Sequence, residues 1–380
     1  ALKYTARTLV LFFAFLFVSN SRAQMPEGVE ESLLDVNQEV VASGFKIPWA
    51  IAVIDDEEYL ISDRMGTLYH YRDGEAVALE GIPVSLPFEI GGFVYGGLMD
   101  VSLHPRFAEN RLVYIALVNQ VGRMVVSRFR FADRTVRDLK LIFESNAFSI
   151  GSRIAWSDDD HFFVSLGMGG YPRPDPGAQD LAMDVGKIHR LMADGTVPAD
   201  NPVFDGATAP TSIWSYGHRD PQGLYFDAEA GILYATEHGP MGGDELNIVQ
   251  GGSNYGWPLF SYGVNYDGSP VSELTAEEAG KTTVLPEMHW GPDFNMAPSG
   301  LERLDGALFP ALTGYFVIGS LAQRRLIAFD VASKKTRILL NNIGRVRDIA
   351  ELSDGSLLIL LDAGSPDPSD TGRVVKLTPR

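Results

Sequence analysis

The sequence predicts an all-β protein built as a six-bladed β-propeller. Three observations support this prediction: six short apolar segments recur along the chain, turn-forming dipeptides lie close to several of them, and long amphipathic helices are hard to find. A propeller repeats one four-stranded unit around a channel, so its sequence consists of short strands and turns. The alternatives are a β-sandwich and an all-β protein of two domains.

Each apolar segment has the length and composition of a single strand. The six segments are EYLISD (58–63), LVYIALV (112–118), HFFVSLG (161–167), GILYATE (231–237), GYFVIGS (314–320) and SLLILLD (356–362). They start at irregular intervals of roughly 40 to 80 residues, which predicts long insertions in the middle blades. Asp-Gly pairs predict turns at 73–74, 194–195, 305–306 and 354–355, and the best helix candidate is the short stretch 269–282.

Composition excludes several classes of function. The chain has 380 residues and a formal net charge of −18, so nucleic acid, itself a polyanion, is not an expected partner. It contains no cysteine, which excludes disulfides, thiolate chemistry, cysteine-ligated metals and an attached c-type haem. No polar linker divides the strand segments, so we expect one domain over residues 24–380.

The N-terminus has the pattern of a secretory signal peptide. Lys3 and Arg7 precede an apolar run over residues 9–18, and Ser21-Arg22-Ala23 then places small residues where a signal peptidase cleaves. The alternative is a membrane anchor, but a bilayer span needs roughly 20 apolar residues. We therefore expect a signal peptide over residues 1–23, cleavage after Ala23, a periplasmic or secreted mature protein, and no membrane span within it.

The stretch from Tyr216 to Pro258 differs most from ordinary sequence. It contains YGHRDPQGL (216–224), EHGPMGGDELN (237–247) and NYGWP (254–258), in which glycine, proline and charged residues crowd together. Loops of this kind present carbonyls, amides and charges to a ligand, whereas the scaffold supplies packing. This stretch therefore predicts a binding site in the fourth blade.

These motifs resemble the soluble quinoprotein glucose dehydrogenases and the related aldose sugar dehydrogenases. Further segments extend the resemblance in the same order: GGLMDVSLHPRFAENRLVY (96–114), GSRIAW (151–156), AQDL with GKIHRL (178–191), APSGL (297–301) and RVRDIAELSDGSLLILL (345–361). The resemblance covers nearly the whole chain after residue 23. It implies a six-bladed propeller that binds pyrroloquinoline quinone (PQQ) and calcium and oxidises an aldose at C1 to the lactone.

The resemblance implies which residues contact the cofactor. Arg219, with Asp220 beside it, and Arg345 with Arg347 match cofactor-contacting positions. PQQ carries several carboxylates, which guanidinium groups bind in fork geometry. Residues two apart in a strand face the same side, so Arg345 and Arg347 can bind one ligand together. Without the resemblance, such an Arg-x-Arg pair would indicate a solvated strand face.

The resemblance also implies two calcium sites. The carbonyls of Gly239 and Pro240 match those that hold the cofactor's calcium, while Glu245 and the Tyr255 carbonyl match a second, structural site. Calcium prefers oxygen ligands, and a Gly-Pro pair suits carbonyl presentation because Gly permits unusual backbone angles and Pro lacks an amide proton. Without the resemblance, Gly-Pro would indicate a turn and Asp244-Glu245 a solvated acidic pair.

The two histidines of the 216–258 stretch are expected to orient other groups or to support the structure. His218 and His238 lie within the motifs that carry the resemblance. Calcium does not favour imidazole nitrogen as a ligand. We therefore do not expect either histidine to bind the metal.

The position of the catalytic base departs from the family. The resemblance places a histidine base four residues before the arginine of GSR, and this chain has Ser149 there, ahead of Arg153. A serine hydroxyl has no basic lone pair of useful pKa. Asp220, where asparagine is usual, is the candidate replacement base, since burial would raise the pKa of its carboxyl and Arg219 would oppose that rise.

Other positions implied by the resemblance have also changed. Tyr95 stands where a substrate-contacting glutamine is common, and Met168 replaces a commonly acidic residue. Ala322 replaces a lysine that pairs with the quinone, although the neighbouring residues 323–325 (Gln-Arg-Arg) are candidates to compensate. Several changes in one pocket indicate a changed task.

Three functions follow as hypotheses. The first is an active sugar dehydrogenase with a different base, which binds an aldose and passes electrons to an acceptor. The sequence specifies neither this acceptor nor the oligomeric state. The second is a propeller that binds calcium and a ligand without oxidising it. The third is a calcium-dependent lactone hydrolase, because one fold can host several functions.

Overall fold

A computed structural model describes residues 28–167, 176–364 and 371–380. The predicted signal peptide (1–23) and Met168 lie outside the described residues. Within them the chain begins with two strands, β1 (Val29–Glu31) and β2 (Val36–Phe45), which join blades formed by the C-terminal part of the chain.

The first three blades follow in chain order, each a four-stranded antiparallel sheet. Blade 1 contains β3 (Pro48–Asp55), β4 (Glu58–Asp63), β5 (Thr67–Arg72) and β6 (Glu75–Ala78). A separate hairpin, β7 (Pro87–Ile90) and β8 (Phe93–Gly96), leads to blade 2, with β9 (Leu98–Leu103), helix α1 (Phe107–Asn110), β10 (Leu112–Val118), β11 (Met124–Ala132) and β12 (Thr135–Glu144). Blade 3 contains β13 (Ile154–Trp156), β14 (His161–Leu166), β15 (Lys187–Met192) and β16 (Ile213–Tyr216).

The remaining blades repeat the same order. Blade 4 contains β17 (Pro221–Asp227), β18 (Ile232–Glu237), β19 (Asp244–Val249), helix α2 (Ala276–Ala279) and β20 (Met288–Trp290). Blade 5 contains β21 (Pro298–Arg303), β22 (Phe316–Ser320), β23 (Arg325–Asp330) and β24 (Lys335–Leu340). Blade 6 contains β25 (Arg345–Glu351), β26 (Leu357–Asp362) and β27 (Gly372–Pro379). Short 3₁₀ turns lie at Pro176–Gln179 and Pro310–Leu312.

The blades close into a ring. The first strand of each blade contacts the first strand of the next, from β3 through β9, β13, β17 and β21 to β25, and β25 contacts β3 again. Strand β2 completes blade 6 by pairing antiparallel with β27, from Val36 opposite Pro379 to Phe45 opposite Gly372. Strand β1 adds a parallel edge to blade 5 beside β24. The predicted six-bladed propeller is confirmed.

The six segments read from the sequence fall at one place in the repeat: each contains the second strand of a blade, namely β4, β10, β14, β18, β22 and β26. Those strands are buried on both faces because sheets pack on either side, so they read as continuous apolar runs. At the predicted Asp73-Gly74 turn both residues have positive φ (54° and 80°), as a two-residue hairpin between β5 and β6 requires. The helix candidate at 269–282 contains only α2, with a capping box between Thr275 and Glu278.

Apolar side chains pack between adjacent blades rather than in one central core, as the ring architecture requires. The largest cluster joins blades 1, 2 and 3 through residues such as Trp49, Phe129 and Phe162.

No helix among the described residues has the length and apolar character needed to cross a membrane. The packing leaves a channel between the first strands, and the candidate site lies at one end of it.

Candidate functional site

A cavity of about 780 Å³ lies at the end of the channel where the first strands begin. Ile47 precedes β3, Ala297 precedes β21 and Arg345 begins β25, and all three line the cavity. The loops that enter the blades therefore surround it on several sides. A volume of this size accommodates a ligand of cofactor dimensions.

Four guanidinium groups converge on this cavity. Arg64, Arg219, Arg345 and Arg347 line it together with two carboxylates, Asp220 and Asp362. With both carboxylates ionised the cavity retains a net positive charge, although the chain as a whole has a net charge of −18. A positive cavity within an acidic protein is suited to an anionic ligand.

Arg347 is held in place by hydrogen bonds to two other lining residues. Its Nε and Nη2 donate to Asp362 Oδ2 at 3.1 and 2.7 Å, and its Nη1 donates to Gln222 Oε1 at 2.6 Å. Burial would raise the pKa of the Asp362 carboxyl, but the Arg347 and Arg345 charges outweigh it and hold that pKa below its usual value. Asp362 is therefore ionised, and Arg347 keeps its fixed orientation at the cavity.

Trp49 supports two of these arginines. The guanidinium carbons of Arg64 and Arg347 lie 3.9 and 4.2 Å from the centroid of the Trp49 ring, whose indole nitrogen donates to the Ser152 carbonyl at 3.2 Å. Indole attracts cations through its π face, so one buried tryptophan reduces the repulsion between two like charges. Burial and the nearby Arg347 still lower the pKa of Arg64 to about 9.

Several buried polar atoms around the cavity have no hydrogen-bond partner among the described residues. They are Nε of Arg64, Arg219 and Arg345, and Oδ1 of Asp220. Buried polar groups normally find partners, and each exception needs an explanation. Protein acceptors therefore satisfy these three cavity-lining guanidinium groups only in part.

Asp220 lies at the cavity between Gln222 and two glycines. Gln222 Nε2 donates to its Oδ2 at 2.8 Å, while a Cβ at Gly167 or Gly151 would lie 2.0 or 2.9 Å from its Oδ1. Only glycine at those two positions leaves room for this carboxyl. Burial raises its pKa, with Arg219, Gln222, Arg64 and Arg347 acting in the opposite direction.

His238 also faces the cavity. Its Nε2 lies 2.8 Å from the Pro298 carbonyl, which can only accept, so Nε2 carries the proton and Nδ1 presents a lone pair. Burial, then the charges of Arg219 and Arg347, lower the pKa of this imidazole to about 3. His238 is therefore neutral at physiological pH, in agreement with its predicted orienting role.

Ser149 does not face the cavity. It is fully buried, its hydroxyl donates to the Gly151 carbonyl, and it accepts from the Gly167 amide at 3.0 Å. The neighbouring side chains Phe148 and Ile150 line the cavity instead. In this structure the Ser149 hydroxyl joins two backbone segments rather than contacting a ligand.

The cavity also has an apolar wall, which we define as Phe88, Ile90, Phe93, Val94, Phe148 and Ile150. The first four belong to the β7–β8 hairpin, and the last two to the loop before β13. Arg64 fixes both elements, since its Nη1 donates to the Val94 carbonyl and its Nη2 to the Ile150 carbonyl at 2.6 Å. This side of the cavity is therefore built into the fold.

Residues assigned to calcium by the resemblance lie beside a smaller void of about 10 Å³. Gly239, Glu245 and Tyr255 line it, as does Glu237, which stands directly opposite Glu245 across β18 and β19. Burial and the Glu237 charge raise the pKa of Glu245 well above its usual value. Two facing carboxylates repel each other unless a proton or a cation lies between them.

The backbone at Gly239 differs from the expectation. Its φ lies outside the left-handed region, and glycine is required because a Cβ would lie 2.0 Å from the Gly242 carbonyl oxygen. Pro240 beside it is buried. Asp244 is buried too, accepting from the amides of Gly239, Met296 and Ala297, so the alternative of a solvated acidic pair is wrong.

His218 belongs to a Ser–His–Glu chain. Ser215 Oγ lies 2.8 Å from His218 Nε2, and His218 Nδ1 lies 3.0 Å from Glu237 Oε1. This is the connectivity of a hydrolytic triad. Ser215 and His218 are both fully buried, however, so no substrate can reach the hydroxyl and the chain orients Glu237.

Comparison with known proteins identifies the family. A family model described as Glucose / Sorbosone dehydrogenase matches residues 45–369. The chain belongs to the glucose/sorbosone dehydrogenase family. It is 34% identical to the aldose sugar dehydrogenase YliI of Escherichia coli over 363 residues, covering 91% of this chain and 93% of that protein.

Solved structures of family members agree with this assignment. A crystal structure of the Escherichia coli aldose sugar dehydrogenase in its apo form matches with a TM-score of 0.77 at 32% identity, covering 91% of this chain and 100% of that one. The PQQ-bound aldose sugar dehydrogenase of Streptomyces coelicolor matches with a TM-score of 0.72, covering 91% and 98% of the two chains. At 24% identity this second likeness supports the fold alone.

In this glucose/sorbosone dehydrogenase family member, two of the changed positions line the cavity. Tyr95 does so from β8, and burial raises the pKa of its phenol. Ala322 also lines the cavity, but Arg325 donates to Gln323 at 2.7 Å and to Asn341 at 2.8 Å. Arg325 and Gln323 are thus engaged with each other, and the additional cation at the cavity is Arg64.

Arg64 and Trp49 were missed in the sequence. Arg64 follows a buried strand within Asp63-Arg64-Met65-Gly66, which reads as an ordinary turn, and Trp49 reads as a core residue of β3. Neither carries a local signal for a site. Only the closing of the ring brings both against Arg347, about 300 residues further along the chain.

Proposed function

We propose that the protein is a PQQ- and calcium-dependent dehydrogenase that oxidises an aldose at C1 to its lactone and passes the electrons to an external acceptor. The observation that carries the proposal is the convergence of four arginines on one cavity, in a member of the glucose/sorbosone dehydrogenase family. The predicted signal peptide supports a periplasmic or secreted location.

The residues present fit the cofactor. Arg219, Arg345, Arg347 and Arg64 would hold its carboxylates, since guanidinium groups bind carboxylates through charge-assisted hydrogen bonds. PQQ supplies two-electron oxidising chemistry when bound. A protein of this fold has been crystallised in its PQQ-bound form, which supports PQQ as the cofactor.

Calcium fits two places for different reasons. Gly239 and Pro240 would present carbonyls to the cofactor's ion, as the resemblance implies. Glu245, with the Tyr255 carbonyl, would hold a second ion at the void that Glu237 also lines, where a cation would relieve the repulsion of two facing carboxylates. No group of three or more acidic or histidine side chains suited to a metal occurs among the described residues, so backbone oxygens would have to complete either site.

Asp220 would act as the base that takes the proton from the sugar hydroxyl. It lines the cavity, and burial raises its pKa toward the range in which a carboxylate is a useful base. Ser149 would hold the segment before β13 against the end of β14, and Gly151 and Gly167 make room for the carboxylate.

The test is reconstitution of residues 24–380 with calcium and PQQ, followed by an assay with aldoses and an artificial electron acceptor. Quinone binding with turnover supports the proposal. Quinone binding without turnover favours a binding protein. The supporting observation is that the Ser149 hydroxyl bonds to the backbone and does not face the cavity. Lactone hydrolysis without quinone would instead favour a hydrolase.

A further inference from the structure

The apolar wall is wider than the one C–H face that a bare sugar ring can place against it. Every carbon of an aldose ring carries oxygen, and each hydroxyl that leaves water needs a hydrogen-bond partner. The wall consists of three phenylalanines and three aliphatic side chains. We propose that the substrate carries, apart from the hydroxyl that is oxidised, a large apolar group, alkyl or aryl, which lies against this wall; the inference rests on the proposed function.

The wall is a preformed surface rather than a loose set of side chains. The Phe88 ring meets the Phe148 ring edge to face at 4.6 Å between centroids and approaches the Tyr95 ring at 5.8 Å. Gly96 allows this contact, because a Cβ there would lie 2.9 Å from the Phe148 ring. Aromatic groups fixed in this way bind apolar ligands without a further ordering cost.

The backbone of the wall offers few acceptors. The Val94 and Ile150 carbonyls already accept from Arg64, and the Ser149 hydroxyl is directed into the backbone behind the wall. Tyr95 supplies a hydroxyl next to the wall. One phenol cannot serve the several hydroxyls at the edge of a sugar ring, so beyond one C–H face of the sugar the wall suits an apolar group.

The wall continues to the rim of the cavity. Ile90 and Phe93, at the turn of the hairpin, are 51% and 45% exposed, which is unusual for side chains of this size beside a functional cavity. The Arg345 guanidinium carbon lies 5.8 Å from the centroid of the Phe93 ring, so the hairpin tip reaches the arginine side of the mouth. A chain attached to a substrate in the cavity would leave along these two residues.

The test compares glucose with its acetyl, butanoyl and octanoyl esters at the 6-hydroxyl. Their dissociation constants are measured by calorimetry on the unloaded protein, and kcat/KM is measured on protein loaded with PQQ and calcium. Each methylene buried against the wall should lower the dissociation constant about fourfold until the chain passes the rim. Phe93→Ser should flatten this dependence, whereas Val121→Ser, a change at a 76% exposed position that does not line the cavity, should keep it.

The two proposals fail separately. Affinity that is independent of chain length, or highest for unsubstituted glucose, overturns the substrate inference even if PQQ is retained after gel filtration. Conversely, failure to retain PQQ overturns the proposed function, while a chain-length dependence in the unloaded protein that Phe93→Ser removes would still establish the wall as a binding surface for apolar groups.

Discussion

Asp220 and His238 face each other at the cavity, with 3.6 Å between Asp220 Oδ2 and His238 Nδ1. The His238 proton is on Nε2, so a lone pair is directed at a carboxyl group. If the Asp220 carboxylate were ionised, a lone pair on its oxygen would face the lone pair on His238 Nδ1, and the two would repel each other. The lone pair therefore disfavours the ionised form of Asp220, in the same direction as burial, which raises the pKa of this carboxyl.

The first prediction concerns Asp220 as base. Asp220→Asn keeps the size of the side chain and removes its basicity, so turnover should fall by roughly 10²- to 10⁴-fold while PQQ affinity changes little. Single-turnover reduction of bound quinone measures this step. The matched control is Asp73→Asn at an exposed turn, which should keep full activity. Turnover of Asp220→Asn within a factor of a few of the wild type would contradict the assignment.

The second prediction concerns Ser149. Ser149→Ala removes one of two acceptors of the buried Gly167 amide, which keeps the Gly151 carbonyl at 3.1 Å, so it should cost about 0.5–1.5 kcal/mol of unfolding free energy and leave the chemical step largely intact in the folded protein. Denaturant unfolding and kcat measure the two effects separately. Ser149→His should also destabilise rather than restore a base, because the side chain points at the Gly151 carbonyl and not into the cavity. A gain in turnover from Ser149→His would refute this placement.

The third prediction concerns the pH dependence of activity. An Asp220 base works only when ionised, and burial raises its pKa above the ordinary value of 3.8, so activity should rise with pH through that higher pKa. Arg64 lowers the Asp220 pKa, and Arg64→Met should therefore move the rising limb to higher pH. A pH series of kcat measures the shift, with Arg72→Met, half exposed in blade 1, as control. If the rising part of the pH profile stayed in place or moved to lower pH in Arg64→Met, Arg64 would not lower the pKa of Asp220.

The fourth prediction concerns the opposite end of the channel. Glu302 lines a second cavity of about 250 Å³ there, and burial, then the charges of Asp348, Glu351 and Asp305, raise its pKa from 4.5 to about 8. Between pH 4.5 and 8 the folded state therefore keeps a proton on Glu302 that the unfolded chain releases. The contribution of Glu302 to the free energy of unfolding is complete below pH 4.5 and is lost as pH rises through 8.

Glu302→Gln removes the ionisation and should stabilise the protein at pH 9 by roughly 1–3 kcal/mol relative to the wild type. At pH 4, where Glu302 is protonated in both the folded and the unfolded state, the two proteins should differ little. Urea unfolding at the two pH values measures the difference. Equal stability of variant and wild type at pH 9 would show that Glu302 is ionised at little cost.

The sequence predicted the fold because each second strand is buried on both faces and so appears as an apolar run. It predicted the surroundings of Arg219 and Arg347 because their motifs lie in continuous stretches with a clear resemblance. Arg64, Trp49 and the apolar wall were not predictable in this way. Their role arises from contacts between distant blades, such as Arg64 with Ile150, and no local pattern encodes which loops meet across a channel.

The most direct test of the proposed function is the dissociation constant of PQQ, measured by calorimetry on the calcium-loaded protein. Arg345→Gln and Arg347→Gln should each weaken binding by about tenfold or more, because each removes one charge-assisted contact to a carboxylate. Arg72→Gln, a half-exposed arginine in blade 1 that does not line the cavity, should bind as the wild type does. Micromolar or tighter binding that depends on Arg345 and Arg347 is the predicted result, and no binding of PQQ at any calcium concentration would contradict it.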